Sequence, residues 1–192
     1  DVEHKLKLLA WLLENETYGR AIVFANSREQ ANKIGGVLIA EGRRVGVLHG
    51  DKDQKQRHRV MSLLHAKAFD VPVATDVAAR GLDVDDVDLV INFDMPRRGD
   101  GYVHRSGRTG RAGHEGVAIS LVSAMEWNLM ASIERYLNQR FERRGIKELR
   151  GSFNGPKKLK ASGKSAGSKK KKIKGKKSAA GKAKKAKKAK KK

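Results

Sequence analysis

The sequence predicts an α/β domain, a doubly wound and mainly parallel sheet flanked by helices, followed by a disordered basic tail. Three observations carry that prediction. Short runs rich in Val, Ile and Ala recur through residues 1–150. Stretches with apolar residues three and four apart lie between several of them. After Gly151 the composition shifts abruptly to Lys, Gly, Ala and Ser. Alternating β and α patterns predict right-handed crossovers, and near-continuous apolar runs predict strands covered on both faces.

Taken in order, Leu6, Leu9, Ala10 and Leu13 form the apolar stripe of a first helix. Ala21–Ala25 (AIVFA) reads as the first strand. Ala31, Ile34 and Leu38 mark a second helix. It is entered through Ser27 with Gln30 three residues on, a capping box, and Gly42 is its stop. Arg44–His49 is the second strand, and Val60, Leu63 and Leu64 mark a third helix. Val71–Thr75, Leu89–Phe93 and Gly116–Val122 complete the strands. Ser123 and Glu126 form a second capping box before Met130, Ile133, Leu137 and Phe141.

Charge separates two domains, 1–150 and 151–192. Residues 151–192 hold 19 lysines and no acid, so 19 of the 22 net positive charges sit there and the body carries only +3. Such a tail cannot bury enough apolar surface to offset its ordering entropy, which predicts disorder. Its lysines predict a salt-sensitive, sequence-independent attachment to nucleic acid. The chain has no cysteine, which excludes disulfides and thiolate metal sites. No run of 18 apolar residues exists, so no membrane span is expected. The amphipathic start is not a signal peptide, and a cytoplasmic location is the expectation. The absence of an initiator methionine suggests a piece of a longer protein.

In open α/β sheets ligands sit beyond the carboxyl ends of the strands. Polar groups and glycines gather there: Asn26, Ser27 and Arg28; Gly50 and Asp51; Asp76, Arg80, Gly81 and Asp83; Asp94 and Pro96. The segment "YVHRSGRTGRAG" (102–113) repeats Arg and Gly at a spacing of three. Glycines inside a helix cost up to about 1 kcal/mol each, and neighbouring arginines repel. Neither helps folding. Arginine forks match phosphate oxygens and glycine admits close backbone approach, so the segment points to phosphate. Yet no GxxxxGK[ST] loop is present, and no acidic pair follows a strand to hold magnesium. The arginines would therefore serve a nucleotide held elsewhere. Asp76 is assigned no chemistry, and Trp11 and Trp127 are read as packing residues.

Five stretches in order resemble motifs of the DEAD-box RNA helicases, an ATP-dependent branch of helicase superfamily 2: "IVFANSR" (22–28), "LHGDKDQKQR" (48–57), "ATDVAARGLD" (74–83), "DVDLVINFDMP" (86–96) and "YVHRSGRTGR" (102–111). The resemblance covers Val2 to Leu149 and is to the C-terminal RecA-like domain. It implies that Arg108 and Arg111 are catalytic fingers on the γ-phosphate of ATP. Gly81 and Asp83 would join them in nucleotide binding, with Asp83 on the ribose. Arg28, His49, Gly50 and Thr75 would contact the RNA backbone. Gln54, Arg57, Arg80, His104 and Arg105 would couple this domain to an N-terminal RecA-like domain, whose acids would hold most of the Mg2+. Ser106 replaces the commoner isoleucine.

The resemblance further implies RNA bound with little sequence preference, and no ATP hydrolysis by this chain alone. The lysine tail is expected to tether the helicase to structured RNA, ribosomal RNA included, with a solubilising or nonspecific tail as the alternative. The Lys/Ala-rich end is bacterial in style. A DNA helicase of the same superfamily and a non-enzymatic RNA-binding platform are the rival readings. "ARGLD" and "HRSGRTGR" favour the RNA branch, and the matched arginines and Asp83 argue against a degenerate platform.

Overall fold

A computed structural model describes residues 1–50, 54–66, 68–79, 87–110, 115–151, 153 and 155; the side chains of Gln54, Arg57, Met61, Leu64 and His65 fall outside that description. The described residues form one unit, Asp1–Gly155. Residues 156–192, most of the expected disordered tail of 151–192, lie outside the described residues.

Five strands alternate with helices: α1 (Val2–Asn15), β1 (Ala21–Ala25), α2 (Arg28–Ala40), β2 (Val45–Leu48), α3 (Gln54–His65), β3 (Val71–Thr75), α4 (Asp76–Ala79), β4 (Leu89–Asn92), α5 (Gly99–Ser106), β5 (Val117–Ser120) and α6 (Trp127–Leu137). All the pairings are parallel, in the order β2-β3-β1-β4-β5. Every predicted strand forms, several trimmed by a residue or two. The helices α4 and α5 were not foreseen, because glycines and a four-residue length hide them from periodicity.

Central β1 shows how the core divides. Side chains alternate across a strand, so Ala21, Val23 and Ala25 enter one cluster with Leu9 and Leu12 of α1 and Ile34 and Leu38 of α2. Ile22 and Phe24 enter the opposite one with Leu48, Ala78 and Val90. Val23 is in register with Val73 on one side and Ile91 on the other. A third cluster sets Met95 against Met130 and Ile133 of α6. Truncating any of these large side chains to Ala would cost about 2–5 kcal/mol.

Local signals are honoured in part. Ser27 caps α2 by accepting from the Gln30 amide at 3.1 Å, but no return bond from the Ser27 amide to Gln30 Oε1 forms among the described residues, so only half of that box is made. Gly42 adopts φ +83, the left-handed conformation expected of a helix stop. The second box also forms by half: Glu126 Oε2 accepts from the Ser123 amide at 2.9 Å. The helix itself starts later, at Trp127, and ends at Leu137, with Asn138 left-handed at φ 51. Phe141 is therefore beyond α6, yet it still reaches the core by stacking on Tyr102 with ring centroids 4.8 Å apart.

Beyond α6 the described residues, as far as Gly155, form no helix or strand and are strapped to the body. The Leu149 carbonyl lies 3.0 Å from His4 Nε2. Arg144 pairs with Glu16 at 2.7 Å. Phe153 meets Trp127 edge-on at 5.5 Å. Both tryptophans pack on core clusters, in line with the sequence expectation.

Candidate functional site

The topology sets the place of the site. From β1 the chain leaves toward β2 on one side of the sheet, and from adjacent β4 it leaves toward β5 on the other. The crevice at such a divergence, beyond the carboxyl ends, is where open α/β sheets take ligands. A cleft of about 190 Å³ lies there. Its floor comes from Phe24 and Asn26 at the end of β1 and from Asp76 and Ala79 of α4. Its other wall runs from Pro96 through Arg97 and Arg98 to His104 and Arg108.

The repeated arginines of the Arg–Gly segment have different fates. Arg105 is 1% exposed. Its Nε and Nη2 grip both oxygens of Asp76 at 2.6 and 2.7 Å. Nη2 also donates to Asn26 Oδ1 at 2.7 Å. Nη1 donates to the Asp94 carbonyl at 2.8 Å and to Asn92 Oδ1 at 3.3 Å. The fork's five N–H donors are thus all engaged, and the guanidinium lies over the Phe24 ring at 5.2 Å. Arg105, expected to couple this domain to a partner lobe, has every donor engaged within this domain, where it ties the ends of β1 and β4 and the start of α4 to α5. Asp76, which sequence reasoning left without a role, is the counter-ion of that knot.

Arg108 follows the helix. α5 ends at Ser106, whose hydroxyl donates to the Tyr102 carbonyl at 2.8 Å, and Gly107 caps it. Gly107 is therefore at a helix end rather than inside one, and Gly110 takes φ +71, a conformation that favours glycine. The turn delivers Arg108, half-buried, to the cleft wall together with exposed His104. Arg111, Arg80, Gly81 and Asp83 lie outside the described residues, as do the side chains of Gln54 and Arg57.

The expected RNA-contact residues sit along the same rim. Arg28 opens α2, is exposed, and donates to Glu29 at 2.7 Å. That bond is the main reason the Glu29 carboxyl is held down to about 2. His49 and Gly50 follow β2; His49 Nδ1 is buried with no hydrogen-bond partner among the described residues, and Gly50 is exposed. Thr75 closes β3 and is 9% exposed.

A second buried cation braces the site from behind. Lys5 Nζ donates to the Phe93 carbonyl at 2.7 Å and to Glu126 Oε2 at 2.6 Å. Burial pushes the Glu126 carboxyl up, but hydrogen bonds from Lys5, Ser123 and the Met95 amide outweigh it and leave it below its ordinary value. No group of three metal-ligating side chains occurs among the described residues. The cleft's cations fit phosphate oxygens, whereas a divalent ion would need acids that the described rim does not gather.

Fold and site together define a RecA-like domain, with an arginine turn at the switch point of a parallel sheet. The helicase conserved C-terminal domain model matches residues 4–113, and the chain belongs to that family, as a DEAD-box C-terminal domain. It is 46% identical over 137 residues to the ATP-dependent RNA helicase SrmB of Haemophilus influenzae, covering 71% of this chain and 31% of that protein. The crystal structure of the E. coli DEAD-box protein SrmB bound to regulator of ribonuclease activity A superposes with a TM-score of 0.77 at 43% identity, over 82% of this chain and 93% of that one. S. cerevisiae Dbp5 bound to RNA and ADP BeF3 gives 0.67 at 34% identity, over 73% and 38%. The chain spans about a third of the length of the curated relatives it matches.

Proposed function

We propose that this chain is the C-terminal lobe of an ATP-dependent RNA helicase and brings arginine to a nucleotide held by an N-terminal RecA-like lobe. The observation that carries this reading is Arg108 on the cleft wall, one turn from a buried arginine that holds its helix in place. The structure of Dbp5 with RNA and ADP BeF3 shares this domain's fold and supports the pairing of nucleotide with RNA.

A single lobe leaves the phosphates open to water. Closure of a second lobe would exclude water and strengthen every charge contact in the cleft. Arg108, with Arg111 beside it in sequence, would then donate to oxygens on which charge grows in the transition state. Gly81 and Asp83 would hold the nucleoside. Mg2+ would be bound mainly by acids of the other lobe. The Arg105 knot prevents α5 from shifting, so the arginine turn is positioned before closure rather than by it.

RNA would run along the carboxyl-end rim. Arg28 offers a fork to phosphate and Gly50 room for close approach; His49, half-buried at the end of β2, and Thr75 would complete the set. Contacts to backbone rather than bases give little sequence preference. Gln54, Arg57, Arg80 and His104 would couple this strand to the nucleotide. The lysine tail would tether the enzyme to structured RNA, ribosomal RNA included, in the cytoplasm.

In the protein carrying both lobes, Arg108→Ala should lower RNA-stimulated ATP turnover by about 10³-fold or more, with an unchanged circular dichroism melt. Unaltered turnover would overturn the finger assignment. The present chain alone should show no turnover. Duplex unwinding on RNA but not on DNA of the same sequence separates this reading from a DNA translocase.

A further inference from the structure

Beyond the motif residues, the cleft holds two cations to which no role has been given. Arg97 and Arg98 follow Pro96, are both exposed, and line the same wall as Arg108. Neither guanidinium makes a hydrogen bond or ion pair among the described residues. Folding gives no reason for them. Arg98 stands at the N-cap of α5, where a helix needs an acceptor; a guanidinium only donates, and no side-chain capping bond forms. A positive charge there also opposes the helix dipole. Ser or Asp there would accept from the first-turn amides and stabilise α5.

The surrounding charges leave these arginines without an internal partner. Of the acids lining the cleft among the described residues, Asp76 has both oxygens bound by Arg105, and Asp100 makes no pair with Arg97 or Arg98. Two exposed arginines with no partner among the described residues, set on a concave surface, attract an anion, and a planar fork selects oxyanions that accept two bonds at once. We propose that Arg97 and Arg98 are phosphate-binding residues that extend the Arg108 wall, so that one continuous edge grips a polyphosphate or a run of backbone phosphates. The proposal rests on the nucleotide-and-RNA reading above, but it concerns binding alone and is tested without turnover.

The lysine tail would swamp a bulk binding measurement, so the test must be residue-resolved. On the full chain, arginine side-chain and glycine amide resonances are followed by NMR during titration with sodium tripolyphosphate and, separately, with a single-stranded RNA oligonucleotide. Saturable shifts at Arg97 and Arg98 Nε and at Gly99 and Gly101 are expected with at least one ligand. Arg97→Ala/Arg98→Ala should weaken the dissociation constant read at Arg108 Nε by about tenfold. Arg97→Lys/Arg98→Lys keeps the charge but loses the fork and should recover only part of that affinity. Tripolyphosphate acting alone assigns the edge to the nucleotide, and RNA acting alone assigns it to the strand. Shifts confined to lysines, or an affinity at Arg108 that the double alanine variant leaves unchanged, would overturn the proposal. Loss of finger function in Arg108→Ala leaves this outcome unaffected, so the two readings fail separately.

Discussion

Two buried cations flank the segment that leaves β4, and they are held in different ways. Arg105, on the cleft side, has all five donors engaged and binds its carboxylate through two parallel bonds. Lys5, on the α1 side, makes two hydrogen bonds, and its third neighbour, Asp94 Oδ1, is 3.9 Å away. The planar fork fixes direction, while the ammonium acts as a point charge that tolerates small shifts. The geometry-setting knot therefore lies beside the cleft and the more forgiving one behind it.

The comparison is broken most severely at Arg105. Arg105→Met would strand Asp76, Asn26, Asn92 and the Asp94 carbonyl. A loss of about 3–5 kcal/mol in urea unfolding is expected, nearer the lower figure because the Asp76 side chain is 40% exposed and can turn to water. Arg105→Lys should recover only a minor share, since one ammonium cannot span those acceptors.

Lys5→Met should cost less, about 1–3 kcal/mol, because Glu126 keeps its bonds from Ser123 and the Met95 amide. Equal losses at Lys5 and Arg105 would refute the distinction between fork and point charge.

Acid sharpens the contrast. The Glu126 carboxyl is depressed in the folded state, so its contribution is present above the ordinary value of 4.5 and is lost as pH falls through the folded value. Stability should decline below about pH 4.5, and the acid limb of the melting curve should flatten in Lys5→Met.

The smallest effect is expected at the exposed Arg28–Glu29 pair. Arg28→Ala should leave the urea midpoint essentially unchanged while weakening RNA binding, which separates a rim residue from a brace.

The sequence was legible where information is local. β1 and β3 match their apolar runs residue for residue, because strands buried on both faces need nothing but apolar side chains. Ser27 and Gly42 marked the ends of α2 because caps are short-range chemistry. The Arg–Gly segment was legible as a site but not in its internal division. Arg105 and Arg108 are the same residue type three positions apart. What separates them is that α5 ends between them, so one points into the core and the other to the cleft. Helix α5 was hidden because glycines at 99, 101 and 107 mask its periodicity. Asp76 could have been suspected from one signal, an acid directly after an apolar strand, but its partner was not visible.

By itself the sequence determined the order of strands and helices, the charge split between body and tail, and the edge of the sheet where polar residues collect. Each of these follows from periodicity or composition within a few residues. Only the tertiary structure decided which arginine became a brace and which a side chain on the cleft wall. That choice depends on acceptors brought together by strand pairing, as when Arg105 meets Asn26, 79 residues away in the chain. A fork is buried only where the fold closes enough acceptors around it to replace water, and no local pattern reports that closure.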